Sequence, residues 1–219
     1  PTQFVDIDND RKDEIIAHDD SSYFVLKYEN GKYVEKNKII MPPNYGRFDN
    51  FMTSIFANVD DDPDKELIFT NSFGRLFIYK YKNGEFTKEF EDLTVISTSS
   101  QHLCAADIDN DGKKEIIVLN AGYQIPFNSS SGKDLLWTAQ IWDFQNGSFK
   151  KIWTKLFSGV KIGSVNLNSN GYKNGVSCGD LDGIPGDEII VSTFPDLYVF
   201  KYVNSEIKPI WYYQYALTN

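Results

Sequence analysis

The sequence DIDNDGKKEII, which begins at Asp107, recurs in altered form three more times along the 219-residue chain. The other copies are DIDNDRKDEII from Asp6, NVDDDPDKELI from Asn58 and DLDGIPGDEII from Asp180. A Glu stands at the ninth position of each copy, and two aliphatic residues follow it. Repeated units of roughly 50 residues, of which the third carries an insertion here, are typical of propellers and other repeat architectures.

A turn signal follows each acidic segment. Three units carry Asn-Gly, at Asn30, Asn83 and Asn146, and the fourth carries Asn204-Ser205. Asn-Gly between alternating segments predicts a β-hairpin, because a type I′ turn needs positive φ at both central residues. Each unit reads as four strands, which in the second unit are SIFAN, ELIFT, RLFIYKY and EFTKEF.

These patterns predict an all-β fold, a β-propeller built from four four-stranded blades. The blades are expected at about residues 1–41, 51–91, 101–157 and 175–215 of a single propeller region, residues 1–219. The ring is either a small closed propeller or part of a larger one, for example of seven blades. The strand aromatics Tyr28, Phe77 and Trp142 are expected in the core.

The charge of the chain is concentrated in the repeats. The formal net charge is −9, and 18 of the 31 acidic residues lie in the four nine-residue segments. With only three Arg, this acidic balance argues against a nucleic-acid partner. No apolar run approaches the roughly 20 residues of a membrane-spanning helix, so no membrane insertion is expected.

Acids at alternating loop positions, followed by the Glu at position nine, place oxygen atoms around one point. Ca²⁺ takes six to eight oxygen ligands in flexible geometry, whereas Zn²⁺ prefers His and Cys. The alternative is that some of these loops are solvated acidic turns without an ion. The candidate metal ligands are Asp6, Asp8, Asp10, Glu14, Asn58, Asp60, Asp62, Glu66, Asp107, Asp109, Asp111, Glu115, Asp180, Asp182 and Glu188.

The D-x-D-x-D-G-x-x-E loops and their following Ile-Ile or Leu-Ile resemble the FG-GAP/VCBS repeat family of integrin-like propellers. The copy at Asp107 fits this pattern fully, and the others depart from it at Arg11, Asn58, Pro63 and Ile184. Proline cannot take positive φ, so the second and fourth loops are expected to turn differently from the third. The ligand sets of the four loops predict about three or four Ca²⁺ ions. The calcium supply outside cells and the resemblance together imply an extracellular, secreted or cell-surface location.

The predicted topology separates two faces of the propeller. The acidic loops and the Asn-Gly turns share one face, and the long connections at residues 41–48, 122–136 and 164–175 share the other. The resemblance also implies ligand binding on that second face. Aromatic side chains beside Asn and Ser in these connections suit a glycan or an extracellular protein as partner. The alternative is that these side chains cap the blade ends. The candidate contacts are Tyr45, Arg47, Tyr123, Phe127, Asn128 and Tyr172.

The function expected from the sequence is a calcium-stabilised recognition or adhesion module. A polysaccharide lyase on the same scaffold and a purely structural spacer are the alternatives. No nucleophile elbow, P-loop or H-E-x-x-H motif is present, and a catalytic pair of His102 and Cys104 is less favoured than a core position for both. Cys104 and Cys178 precede their acidic loops by three and two residues, and this difference in parity argues against a disulfide between them.

Overall fold

The computed structural model describes residues 3–19, 21–40, 54–71, 74–94, 101–121, 136–158, 161–162, 165–166, 174–193 and 195–215. Within these ranges the chain forms strands, turns and bends and no helix. The expectation of an all-β protein is therefore confirmed.

Four antiparallel four-stranded sheets account for most of the strands. In each sheet the strands follow one another in chain order, so every sheet is a simple meander. The strands of sheets 1 and 2 are β1 (Gln3–Val5), β2 (Glu14–His18), β3 (Ser22–Glu29), β4 (Lys32–Ile40), β5 (Ser54–Ala57), β6 (Glu66–Thr70), β7 (Arg75–Lys82) and β8 (Glu85–Leu93).

The second half of the chain repeats this arrangement, with one added two-stranded hairpin, β13 with β14. The strands of sheet 3, the hairpin and sheet 4 are β9 (Gln101–Ala106), β10 (Glu115–Ala121), β11 (Leu136–Gln145), β12 (Ser148–Ser158), β13 (Lys161–Ile162), β14 (Val165–Asn166), β15 (Asn174–Gly179), β16 (Glu188–Thr193), β17 (Asp196–Val203) and β18 (Glu206–Gln214).

The turn between the third and fourth strands of each sheet has the backbone conformation that the sequence predicts. Asn30 and Gly31 have φ of 50° and 84°, and the pairs at Asn83 and Asn146 are similar. In the fourth sheet Asn204 and Ser205 hold φ of 53° and 63°. The type I′ prediction is thus confirmed even where Ser replaces Gly.

The sheets pack face to face in chain order through three apolar cores. The first core joins sheets 1 and 2 and includes Tyr23 and Phe69. The second joins sheets 2 and 3 around Ile78 and Trp142, and the third joins sheets 3 and 4 around Trp137 and Phe200. Among the described residues no such core joins sheet 4 to sheet 1.

Two of the three strand aromatics lie where they were expected. Phe77 and Trp142 are 1 % and 2 % exposed, whereas Tyr28 is 58 % exposed, so the prediction of a core position for Tyr28 was wrong. Tyr28 lies near the Asn-Gly turn of sheet 1, where its ring contacts Tyr33 of β4. No other described sheet covers that face of sheet 1.

The prediction that Cys104 and Cys178 stay unpaired was also wrong, because the two residues form a disulfide. The difference in parity does place them on opposite faces of their sheets. In a stack of sheets, however, one face of each sheet packs against the opposite face of the next one. The opposite orientation of the two side chains therefore brings Cys104 of β9 and Cys178 of β15 together. Because Cys104 is in a disulfide, it is not a free thiol that could act with His102.

Candidate metal centres

Each acidic segment forms the loop between the first and second strands of its sheet. We call them loop 1 (residues 6–14), loop 2 (58–66), loop 3 (107–115) and loop 4 (180–188). The ninth-position Glu is the first residue of the second strand and is at most 1 % exposed in every loop. Oε2 of this Glu accepts a hydrogen bond from the backbone N–H of the second loop residue, at 2.8–3.2 Å.

Backbone donors hold the first aspartate of loops 1 and 3 in the same way. In loop 3 the two Asp107 carboxylate oxygens accept from the N–H groups of Asp111 and Gly112, both at 3.0 Å. In loop 1 Asp6 accepts from Asp10 at 3.0 Å and from Arg11 at 2.9 Å. These bonds orient the carboxylates toward the loop interior before any ion is bound.

The backbone conformations of the four loops differ as Pro63 and Pro185 suggest. Loop 1 has positive φ at Asn9 and Arg11, and loop 3 has it at the matching residues Asn110 and Gly112. Loop 4 places positive φ at Gly183 and Gly186, and loop 2 has no residue with positive φ. The expectation that loops 2 and 4 turn differently from loop 3 is confirmed.

The structure gathers three carboxylate residues of each loop so that one oxygen from each lies within 4.8 Å of the others. The groups are Asp6, Asp8 and Asp10; Asp60, Asp62 and Glu66; Asp107, Asp109 and Glu115; and Asp180, Asp182 and Glu188. In loop 2, Asn58 donates from Nδ2 to the Asp62 carbonyl at 2.6 Å, and its buried Oδ1 has no hydrogen-bond partner. Each loop could therefore hold a metal ion.

A buried carboxylate oxygen at the base of the loop is the clearest sign that a cation is needed. Oε1 of Glu66 and Oε1 of Glu115 are buried without a hydrogen-bond partner. Burial is the main cause that raises the pKa of Glu115 to about 8, and the nearby Asp109 adds to it. Burial likewise raises the pKa of Glu66 to about 8. A bound cation would stabilise the charged form of both groups.

Three of the loops contain a lysine that sequence analysis missed. Lys27 Nζ lies 2.5 Å from Asp8 and 2.7 Å from Asp10 in loop 1. Lys80 forms ion pairs with Asp62 and, at 3.5 Å, with Asp60 in loop 2. The signal was present in the sequence, since each of these lysines stands three residues before the Asn of its turn.

The fourth loop follows the same pattern. Lys201 Nζ lies 2.9 Å from Asp182 and forms an ion pair with Glu188. In the third unit the corresponding residue is Asp143, which is 8 % exposed. Asp143 and Asp109 line a cavity of about 420 Å³ that also includes Trp153, Tyr202 and Glu206.

Loops 3 and 4 contact each other directly. The Asp187 N–H donates to the Asp107 carbonyl at 2.9 Å. Gly186 holds φ of +95°, and a Cβ at this position would lie 2.8 Å from the Ile108 carbonyl oxygen. Only glycine fits such a close approach, so the turn chemistry of loop 4 fixes its distance from loop 3.

The predicted ligand face lies outside the described residues. This applies to all six candidate contacts: Tyr45, Arg47, Tyr123, Phe127, Asn128 and Tyr172. Their role stays a prediction. In the part of the chain that is described, no helix is long and apolar enough to cross a membrane.

Comparison with known families agrees with the repeat structure. Residues 58–118, from loop 2 through loop 3 to β10, match the model of the FG-GAP-like repeat. The resemblance inferred from the acidic loops is thereby confirmed. No curated protein sequence matches the chain.

Solved structures provide the remaining comparisons. The chain is similar to the rhamnogalacturonan lyase YesW, with a TM-score of 0.52 at 17 % identity over 90 % of this chain and 43 % of the lyase. A Bacillus licheniformis rhamnogalacturonan lyase is also similar, with a TM-score of 0.49 at 14 % identity over 88 % of this chain and 42 % of the lyase. The exotype rhamnogalacturonan lyase YesX has a TM-score of 0.48 at 16 % identity over 89 % of this chain and 41 % of the lyase. The chain thus spans about two fifths of the length of these lyases.

Proposed function

We propose that this chain is a calcium-stabilised recognition module in which the metal loops fix one face of a propeller and a glycan binds at the other. The observation that carries the proposal is the buried Glu at the base of each acidic loop, at most 1 % exposed. The candidate ligands of each loop are carboxylate, amide and backbone oxygens only, and this donor set suits Ca²⁺ and not Zn²⁺.

The sheet arrangement supports a propeller. Each sheet meets the next through an apolar core, as blades do. The two outer faces of the stack carry exposed apolar side chains, including Phe4 (68 %) on sheet 1 and Trp211 (50 %) on sheet 4. Faces of this kind suit contact with neighbouring blades, which favours membership in a larger ring over a closed ring of four.

The disulfide between Cys104 and Cys178 supports an extracellular location. Structural disulfides persist in oxidising compartments and are rare where thiols are kept reduced. The calcium concentration outside cells also suits loops that need the ion for stability.

A glycan is favoured over a protein surface as the ligand because the fold resembles that of a rhamnogalacturonan lyase. Affinity electrophoresis of the calcium-loaded protein in a rhamnogalacturonan gel tests this proposal. We expect retardation that is lost when residues 122–135 are replaced by a short Gly-Ser linker, with the thermal midpoint little changed. Retardation that survives the replacement would place the binding site elsewhere on the chain.

A lyase is the second candidate, and the cavity beside loop 3 is the observation that favours it. Asp109, Asp143 and Glu206 line that cavity together with Trp153 and Tyr202. A lyase would release an unsaturated sugar that absorbs in the ultraviolet, whereas a binding module would retain the polysaccharide intact. Incubating the protein with rhamnogalacturonan and calcium and recording ultraviolet absorbance separates the two functions.

A further inference from the structure

The residue that lies across from the ninth-position Glu divides the four loops into two classes. Glu66 of β6 and Lys80 of β7 are cross-strand partners. The registers of the other sheets place Lys27 across from Glu14, and Lys201 across from Glu188. In sheet 3 the same position across from Glu115 is Asp143. Directly paired residues share a face of the sheet, so each of these side chains points toward its loop.

The lysine of each of the three loops lies inside the carboxylate cluster. Lys27 contacts Asp8, Asp10 and Glu14 at 2.5–3.5 Å. Lys80 contacts Asp62, Asp60 at 3.5 Å and Glu66 at 3.9 Å. These ammonium groups are largely shielded, with side-chain exposures of 11–19 %. Each one lies among the oxygens that a metal ion would need, so the ammonium and the ion exclude each other.

Loop 3 has the opposite charge arrangement. Asp107, Asp109, Asp111 and Glu115 are joined by Asp143, which gives five carboxylates where loops 2 and 4 have three ligand carboxylates and a lysine. Among the described residues, no Lys, Arg or His nitrogen lies within 4.0 Å of Asp109, Glu115 or Asp143. The ammonium of Lys113 lies 3.4 Å from Asp111, but it also contacts Asp61 at 3.3 Å and so sits at the edge of the loop.

Oε1 is buried without a hydrogen-bond partner in Glu14, Glu66 and Glu115. A lysine ammonium lies 3.5 Å from Oε1 of Glu14 and 3.9 Å from Oε1 of Glu66, whereas no charged nitrogen of the described residues lies within 4.0 Å of Glu115, so loop 3 is the loop whose unpartnered oxygen lacks a counterion. Oε1 of Glu115 is buried and accepts no hydrogen bond, while Oε2 is held by the Ile108 N–H at 2.8 Å. In loop 4 the equivalent Oε1 of Glu188 is bonded to Lys201. A buried carboxylate oxygen without a partner is costly, and a divalent cation shared with Asp107 and Asp109 would satisfy it.

We infer that loop 3 is the one loop that binds Ca²⁺ tightly, and that Lys27, Lys80 and Lys201 are built-in counterions that replace the metal in loops 1, 2 and 4. The inference rests on the proposed calcium dependence and changes the expected number of ions from three or four to one. In this chain the residue at one position of the third strand, three residues before the turn Asn, determines whether the loop of that sheet binds an ion: Lys excludes it and Asp permits it.

Isothermal titration of the EDTA-treated and desalted protein with CaCl₂ tests the inference. The wild-type chain should bind one ion. Asp143→Lys should abolish binding, and Lys27→Met should raise the stoichiometry to two, because loop 1 retains three aspartates and its Glu. Lys36→Met is the matched control, since Lys36 forms its ion pair with Glu29, at 2.6 Å, and with no acid of the four loops among the described residues. The stoichiometry of this variant should stay at one.

Thermal unfolding without calcium gives a second readout that does not depend on stoichiometry. The thermal midpoint of Asp143→Lys should rise toward that of the calcium-loaded wild type, because the new ammonium replaces the ion. If that variant does not fold, Asp143→Asn replaces it, with a calcium affinity at least tenfold weaker than wild type expected. An affinity of Asp143→Asn equal to wild type would overturn the inference.

The outcomes of the titration separate this inference from the proposed function. A wild-type stoichiometry of three or four would overturn the role of the lysines and leave the calcium-stabilised module standing. Absence of calcium binding to the wild type would overturn both. A stoichiometry of one that Lys27→Met does not change, in a folded variant, would show that lysine is not what keeps calcium out of loop 1.

Discussion

Cys104 of β9 and Cys178 of β15 are joined by a disulfide, with their Cα atoms 6.3 Å apart and a separation of 74 positions in sequence. The bond links the first strands of sheets 3 and 4, directly before the two metal loops that contact each other. It therefore restrains a pair of sheets whose acidic loops also share a backbone hydrogen bond, from the Asp187 N–H to the Asp107 carbonyl.

Removing this disulfide should destabilise the chain considerably. Cross-linking across a long loop lowers the entropy of the unfolded chain, so Cys104→Ser with Cys178→Ser should lower the free energy of unfolding by about 2–4 kcal/mol. Urea unfolding of oxidised wild type and of the double variant measures the difference. Wild-type protein that shows two free thiols in denaturant before reduction would contradict the pairing.

Calcium removal should lower stability because the ion binds the folded loops only. A ligand present at 100 times its dissociation constant stabilises by about 2.7 kcal/mol. For a chain of this size that corresponds to a thermal midpoint about 5–10 °C higher. Differential scanning calorimetry with excess CaCl₂ and with EDTA gives this shift, and MgCl₂ at the same ionic strength is the control. Identical midpoints with CaCl₂ and EDTA would contradict metal binding.

In the metal-free protein, stability should fall as the pH rises. The pKa of Glu115 is raised to about 8 by burial, above its value of roughly 4.3 in an unfolded chain. Below that unfolded pKa both states bind the proton and the stabilising contribution is complete. It is lost as the pH rises to the folded pKa, because the unfolded state releases the proton more readily.

Glu115→Gln isolates this effect, since Gln keeps the carbonyl acceptor for the Ile108 N–H and does not ionise. In EDTA, the variant should match wild type near pH 4 and exceed it in urea midpoint near pH 8. With calcium present the order should reverse, because the variant lacks a charged ligand. Parallel pH profiles of the two metal-free proteins would show that Glu115 is not held in its neutral form.

Two strand aromatics that were both predicted to lie in the core, Phe77 and Tyr28, should differ sharply in their contribution to stability. Phe77 is buried and stacks on Phe69 with ring centroids 5.1 Å apart, so Phe77→Ala should cost about 3–5 kcal/mol. Tyr28 is exposed and contacts Tyr33, so Tyr28→Ala should cost less than about 1 kcal/mol. Chemical denaturation of the two variants compares them directly. Equal losses would mean that a partner covers the Tyr28 face in solution.

Local features of this chain could be predicted because their causes lie within a few residues. The Asn-Gly turns depend on φ at two adjacent residues, and the meander of four strands follows from alternation between those turns. The carboxylate cluster of loop 3 depends on acids two residues apart, and Glu115 follows them within the same loop. Loop 2 and loop 4 turned differently, as Pro63 and Pro185 required.

Only the tertiary structure decided which charges and which faces meet. Lys201 reaches Glu188 across 13 residues because the register of β16 and β17 makes them neighbours, and sequence spacing alone does not reveal that register. Cys104 meets Cys178 because stacked sheets contact through opposite faces. Tyr28 is exposed because the described residues pack against only one face of sheet 1. The sequence alone thus determined the spacing of the carboxylates within each loop. Strand pairing determined which residue lies beside each carboxylate cluster, because it brings together residues that are distant along the chain.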